Sequence, residues 1–228
     1  MVNLLALVFT VVLSLAHYYG ESIQLYKRKE KLISIGAGVL LAYTILDLFP
    51  RVFAGITILH NALFFFILLG FSLHHIIEKY IYQHAAKNKR LKELKEVHSI
   101  AFFLYYIIIG IMIKEVTSEQ NLQGWLLFFP LLFHTTLGTF SLRDIHKSIK
   151  EKKYIVLLLS SSPVIGFLIA SIWSISPGIE YSVLGFISGV FLYIITREVI
   201  PKENKGDPID FFFGIALYTL IIVITWII

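Results

Sequence analysis

His74, His75 and Glu78 stand within one helical turn of each other, with His74 and Glu78 four residues apart and so on one helix face. Two imidazoles and a carboxylate so spaced suit a peripheral metal site; they equally suit a polar cap where a helix meets a membrane surface. His134, followed by Thr135 and Thr136, lies deep in an apolar run, where an ionisable group is costly. A neutral imidazole there serves as a single metal ligand, a proton relay, or a hydrogen-bond partner across a helix interface. Tyr105 and Tyr106 lie at a matching depth in the preceding apolar run. Their hydroxyls would line a polar passage, or their rings would pack. Ser160-Ser161-Ser162-Pro163 interrupts a later run, where serines satisfy the carbonyl that proline frees or line a cavity with Thr135 and Thr136. Asp47 and Glu198 each open an acid-x-x-Pro-base sequence, ending at Arg51 and Lys202. These acids would recruit cations or pair with the base four residues on. There is no cysteine, which excludes disulfides, thiolate metal sites and cysteine nucleophiles. Nucleophile-elbow, P-loop, dinucleotide and His-Glu-x-x-His patterns are also missing from the sequence, so an enzyme is not expected.

The elements that must position these groups follow from composition. The 228 residues are 57% hydrophobic and 15% charged. A soluble domain is nearer 45–50% apolar and about 25% charged, and no soluble core of this size buries that much apolar surface. The chain is expected to be an all-α integral membrane protein, a single polytopic domain. A spanning helix needs roughly 20 apolar residues, and eight stretches qualify as candidates: 2–19, 32–53, 57–79, 98–114, 125–142, 154–174, 181–201 and 209–228. The first lacks a basic leader and a small-residue cleavage pattern, so it reads as a retained helix. Residues 80–97 read as a cytoplasmic loop, either a solvated linker near anionic lipid or a short amphipathic helix through Leu91, Leu94 and Val97.

Charge sets the orientation. Of the 20 Lys and Arg, 18 fall between, or at the facing ends of, the first and second, third and fourth, fifth and sixth, or seventh and eighth segments. Only Arg51 and Lys114 fall on the other side. The positive-inside rule then places the basic loops in the cytoplasm and both termini outside a cell membrane. The net charge of +5 is thus a topology signal, and no nucleic-acid partner is implied.

The second and seventh segments also match at a constant offset of 151 residues. Gly38-Val39 recurs as Gly189-Val190, Leu41 as Leu192, Asp47 as Glu198, Pro50 as Pro201 and Arg51 as Lys202. These two segments are expected to run in opposite directions, so the match predicts an inverted repeat, the signature of secondary transporters. Phe64-Phe65-Phe66 and Phe211-Phe212-Phe213 suggest a looser echo between the third and eighth segments.

The run Gly36 to Leu41 through Asp47-Leu48-Phe49-Pro50, with Gly70-Phe71 through Glu78-Lys79 and Gly185-Phe186 through Tyr193 and Pro201, resembles the second, third and seventh helices of the ZIP family of divalent-metal transporters. The resemblance covers nearly the whole chain. It implies eight transmembrane helices, outward termini, a 3+2+3 inverted repeat, and a homodimer as a plausible assembly. It also implies a metal path between the fourth and fifth helices, where the family carries a His-Asn-x-x-Asp/Glu-Gly motif and a His-Glu-x-Pro motif. Here those positions read Tyr105-Tyr106-Ile107-Ile108-Ile109-Gly110 and His134-Thr135-Thr136-Leu137. In the second helix Asp47 and Arg51 replace the family's His and Glu. One imidazole among tyrosines and threonines is poor in ligands for a dication, so the family's two-metal centre is missing.

The expectation is a divergent ZIP-like carrier embedded in the lipid bilayer, moving a divalent cation such as zinc, or another small polar solute, by alternating access. Its central site would comprise His134, Tyr105, Tyr106 and Thr135, with Ser161 along the path, Asp47 and Glu198 at the mouths, and His74, His75 and Glu78 as a peripheral site. No bound cofactor is expected. The alternative is a ZIP-fold scaffold or sensor that has lost the metal site and transports nothing.

Overall fold

The computed structural model describes residues 3–20, 29–84, 90–146, 153–196 and 207–227. Every regular element among them is helical. Helix α1 is Leu4–Gly20 and α2 is Lys29–Tyr43; a π-helical turn at Thr44–Leu48 leads into α3, Phe49–Ala54, and a short α4, Ile56–Leu59. The others are α5 (Ala62–His84), α6 (Arg90–Glu119), α7 (Asn121–His146), α8 (Lys153–Ile172), α9 (Pro177–Ile194) and α10 (Pro208–Ile227). With α2 to α4 as one broken rod, these make eight long helices. Three are long and apolar enough to cross a membrane: Lys31–Leu59, Pro177–Ile194 and Pro208–Ile227. Leu4–Tyr19, Ala62–Ile76 and Val156–Ile172 are apolar but shorter. Leu68, Ile76, Ile172 and Phe212 are among many large apolar side chains exposed on the outside of the bundle.

The expected loop at 80–97 is shorter than its sequence suggested. Helix α5 continues to His84, and the backbone from Arg90 onward already belongs to α6. The amphipathic stretch is therefore the first turns of a spanning-direction helix and not a separate surface helix. A helix costs nothing extra to extend into water, because its backbone bonds are internal; polarity alone does not end it.

Local chemistry sets the helix starts. Asn3 Oδ1 accepts the amides of Leu5 and Ala6, capping α1. Asp207 Oδ1 accepts the amide of Ile209 while Pro208 takes the first helical position of α10. The π turn has an equally local cause. Pro50 has no N–H to give Leu46, so the ladder widens and the Phe49 amide reaches back five residues to Thr44. At the positions 151 residues later, Ile195 and Thr196 are also π-helical.

The helices alternate in direction. Asn3, at the start of α1, donates through Nδ2 to the Thr117 carbonyl near the end of α6 at 3.1 Å. A cleft at the same end gathers Arg51 and Ala54 of α3, Glu119 closing α6, Gln123 opening α7, Glu180 and Tyr181 opening α9 and Trp226 closing α10. Phe53 meets Phe64 at the start of α5, and Ile175, just past α8, lies with Glu180.

Three helix pairs pack most extensively: α6 on α8, α2 on α10 and α5 on α9. Each crosses through a pair of glycines. A Cβ on Gly38 would collide with the Phe211 carbonyl, and one on Gly214 with that of Ile35. Gly70 faces the carbonyl of Phe186, and Gly189 that of Ile67; Gly110 faces Pro163, and Gly166 faces Ile107. In all three, each glycine meets the carbonyl three residues before its partner glycine. Such close approach permits Cα–H···O contacts, each of about 0.5–1 kcal/mol. The same backbone atoms meet in all three: Gly38 also faces the Ile215 amide, Gly189 that of Phe71 and Gly110 that of Phe167. The partner glycines of the first two crossings, Gly214 and Gly70, are three residues out of step with the phenylalanine triplets.

Candidate functional site

The interior at the α6–α7 contact brings together most of the central residues that the sequence singles out. Tyr105 and Tyr106 project from the middle of α6, and His134 and Thr135 from α7 beyond the buried Pro130. Tyr106 donates its hydroxyl hydrogen to Thr135 Oγ1 at 3.1 Å. The Tyr105 ring stands edge-on to both Tyr106 and His134, with centroids 5.3 and 6.0 Å away. Phe191 of α9 closes the other side, 6.3 Å from the His134 ring. The group is sealed: Tyr105 and His134 are each 6% exposed and Tyr106 1%. His134 Nε2 is buried without a hydrogen-bond partner among the described residues.

Other expected members lie elsewhere. Ser161 returns its hydroxyl hydrogen to the Leu158 carbonyl of its own helix at 2.8 Å, as Ser160 and Ser162 do to Leu157 and Leu159. Serine this close after a carbonyl finds its acceptor within the turn, so the Ser161 hydroxyl hydrogen is used inside its own helix near Pro163. Thr136 likewise bonds back to the Leu132 carbonyl. His74 and His75 project from α5 toward Tyr193 of α9, with ring centroids 5.3 and 5.9 Å away. The Glu78 side chain and Glu198 with Lys202 lie outside the described residues. Among the described residues no three His, Asp or Glu side chains come together as a metal site.

His17, near the end of α1, is not among the residues that the sequence singles out. In the fold its ring packs 5.1 Å from that of Tyr106, so α1 contributes to the same polar cluster. Helix periodicity alone did not single it out, because the facing partner is nearly ninety residues away.

A cleft opens at the Asn3 end of the bundle, with a volume of about 370 Å³. Asp47 reaches it from the π turn and Arg51 from α3. Arg51 Nη1 donates to Glu119 Oε2 at 3.0 Å, not to Asp47 four residues earlier. Asp47 and Arg51 still line the same cleft, close enough for the guanidinium charge to act on the carboxylate. The side chains of Asp47 and Glu180 form no ion pair or hydrogen bond with a described residue. Arg51 Nε and Gln123 Oε1 are buried at the cleft without partners among the described residues. Lys114 and Glu115, nearby on α6, neutralise each other at 3.0 Å. Glu119 and Glu180 were not singled out in the sequence. The available signal was their position: acids at helix ends on the side poor in Lys and Arg.

Comparison of the chain with protein-family models and with curated proteins finds no match.

Proposed function

We propose that the chain is a divergent ZIP-like membrane carrier, spanning a cell membrane eight times, with the Asn3 and Trp226 ends of its helices outside and the basic stretches in the cytoplasm. Its cargo is a divalent metal cation or another small polar solute, moved by alternating access. The observation that carries this reading is that Gly38 and Gly189, in matching sequence 151 residues apart, each sit at a close crossing, of α2 on α10 and of α9 on α5. Two helix pairs built alike, with α2 and α9 running in opposite directions, are what an inverted repeat produces, and inverted repeats are the architecture of secondary transporters. The shared π-helical start at Thr44 and Ile195 supports the same pairing. On this reading the cleft at Asp47 and Arg51 is the outer mouth, and the cluster of His134, Thr135, Tyr105 and Tyr106 lies at the closed midpoint of the path.

A second reading has its own support. The closed, tyrosine-filled contact between α6 and α7 is what a ZIP-fold scaffold without transport would have, since the family's carboxylates there are replaced. An enzyme is not proposed.

Uptake of Zn²⁺, Fe²⁺, Mn²⁺ and Cd²⁺ into proteoliposomes decides between them. Saturable uptake by the wild type that His134→Ala abolishes is the carrier's result. No flux of any of the four metals ends the metal-carrier reading and leaves the scaffold or a different solute.

A further inference from the structure

We infer that the cleft at Asp47 and Arg51 binds a small organic ammonium compound between the carboxylates of Asp47 and Glu180. The inference deepens the carrier reading by naming a solute class; it rests on that reading for the compound's role as cargo, and not for the binding itself.

Charge comes first. The cleft is lined by three carboxylates, Asp47, Glu119 and Glu180, against one guanidinium, Arg51. Arg51 and Glu119 answer each other at 3.0 Å. Asp47 and Glu180, on different elements, share the field of the same guanidinium, so the lining carries more carboxylates than cations and favours a cation.

Size and geometry then choose among cations. A volume of about 370 Å³ is at the small end of the roughly 300–1,000 Å³ typical of small-molecule sites and far larger than a dehydrated ion needs. A bound Zn²⁺ wants about four converging ligands. No three acidic or imidazole groups among the described residues converge that way. The carboxylates are spread around a space that an extended molecule would fill.

The remaining lining fits an amine. Tyr181 and Trp226 are the aromatic residues of the lining, and aromatic rings attract ammonium groups. Gln123 Oε1, buried and without a partner among the described residues, is an acceptor for one ammonium hydrogen. Arg51 Nε, buried in the same condition, is a donor for an oxygen elsewhere on the solute. An alkylammonium carries three donors on one nitrogen, so carboxylate and amide oxygens from separate walls can be satisfied together.

The test is titration calorimetry on the full chain in detergent, with 1,4-diaminobutane as the probe. Saturable binding is expected, weakened about tenfold or more by Asp47→Asn and by Glu180→Gln, since each removes a charge-assisted hydrogen bond. Both substitutions are close to isosteric, and a monodisperse elution profile confirms that each variant folds. Gln123→Leu, on a third helix, gives an independent route and should weaken binding severalfold. No binding by the wild type, or equal binding by all three folded variants, overturns the inference. So does displacement of the amine by an equimolar amount of Zn²⁺, which would assign the cleft to a metal. Amine binding without amine flux in proteoliposomes upholds the site and counts against the carrier.

Discussion

Arg51 Nη1 lies 3.0 Å from Glu119 Oε2, so the guanidinium that sequence spacing would pair with Asp47 instead ties α3 to the end of α6. Glu119 is 57% exposed on its side chain, which places this tie in water's screening. A double-mutant cycle with Arg51→Gln and Glu119→Gln should give a coupling under about 1 kcal/mol. It should shrink further at high salt. A strong, salt-independent coupling would mean that the pair is shielded in the membrane protein, contrary to this geometry.

Gly38→Ala and Gly189→Ala should destabilise the fold by similar amounts. Each inserts a methyl group against a carbonyl and an amide of the facing helix backbone, which cannot yield as a side chain can. Overpacking of this kind costs typically about 1–3 kcal/mol. Gly178, with open space where its Cβ would be, is the control: Gly178→Ala should leave the thermal midpoint unchanged or slightly raised. Unequal effects of the first two substitutions would argue against the equivalence of the crossings.

Tyr106→Phe removes the buried hydrogen bond to Thr135 and should cost about 1 kcal/mol, as should Thr135→Val. Since both delete the same bond, the double variant should lose less than the sum. Additive losses in thermal unfolding would show that the two side chains act separately.

His134→Phe should keep or raise stability. A buried imidazole nitrogen without a partner costs about 1–3 kcal/mol in desolvation, and an apolar ring of similar size in this aromatic pocket avoids that cost. The same variant should lose uptake if the chain is a carrier. Stability gained and flux lost together would mark a residue kept for function. A large drop in thermal midpoint would instead show that the histidine is needed for the fold.

The chain's lack of cysteine makes its topology directly testable. Gln120→Cys, between α6 and α7, and Ser176→Cys, before α9, should react with a membrane-impermeant maleimide added to intact cells. Lys31→Cys, at the other end of the bundle, should react only after permeabilisation. The opposite labelling would invert the proposed orientation.

Several features were legible in the sequence because they depend on properties of one segment. Apolar runs of helix length announce helices wherever they are placed, since backbone bonding must be internal in an apolar solvent. The sequence match at Gly38 and Gly189 was legible for the same reason: it is written as residue identities at one offset. The prolines at 50 and 201 belong to that pattern, and the π turn follows locally from the first of them.

What the sequence alone determined is therefore the helical class, the glycines that allow close crossings, and the polar residues that cannot sit in lipid without a partner. Tertiary structure decided which of those residues meet. It joined Tyr106 to Thr135 across two helices, set His17 beside them, and turned Ser161 back onto its own backbone. It also assembled the cleft of Asp47, Arg51, Glu119, Gln123, Glu180 and Trp226 from helix ends scattered along nearly the whole chain. Helix spacing fixes only neighbours three or four residues apart. Which helix end lies beside which is settled by backbone contact at glycines, and that contact exists only once the bundle has packed.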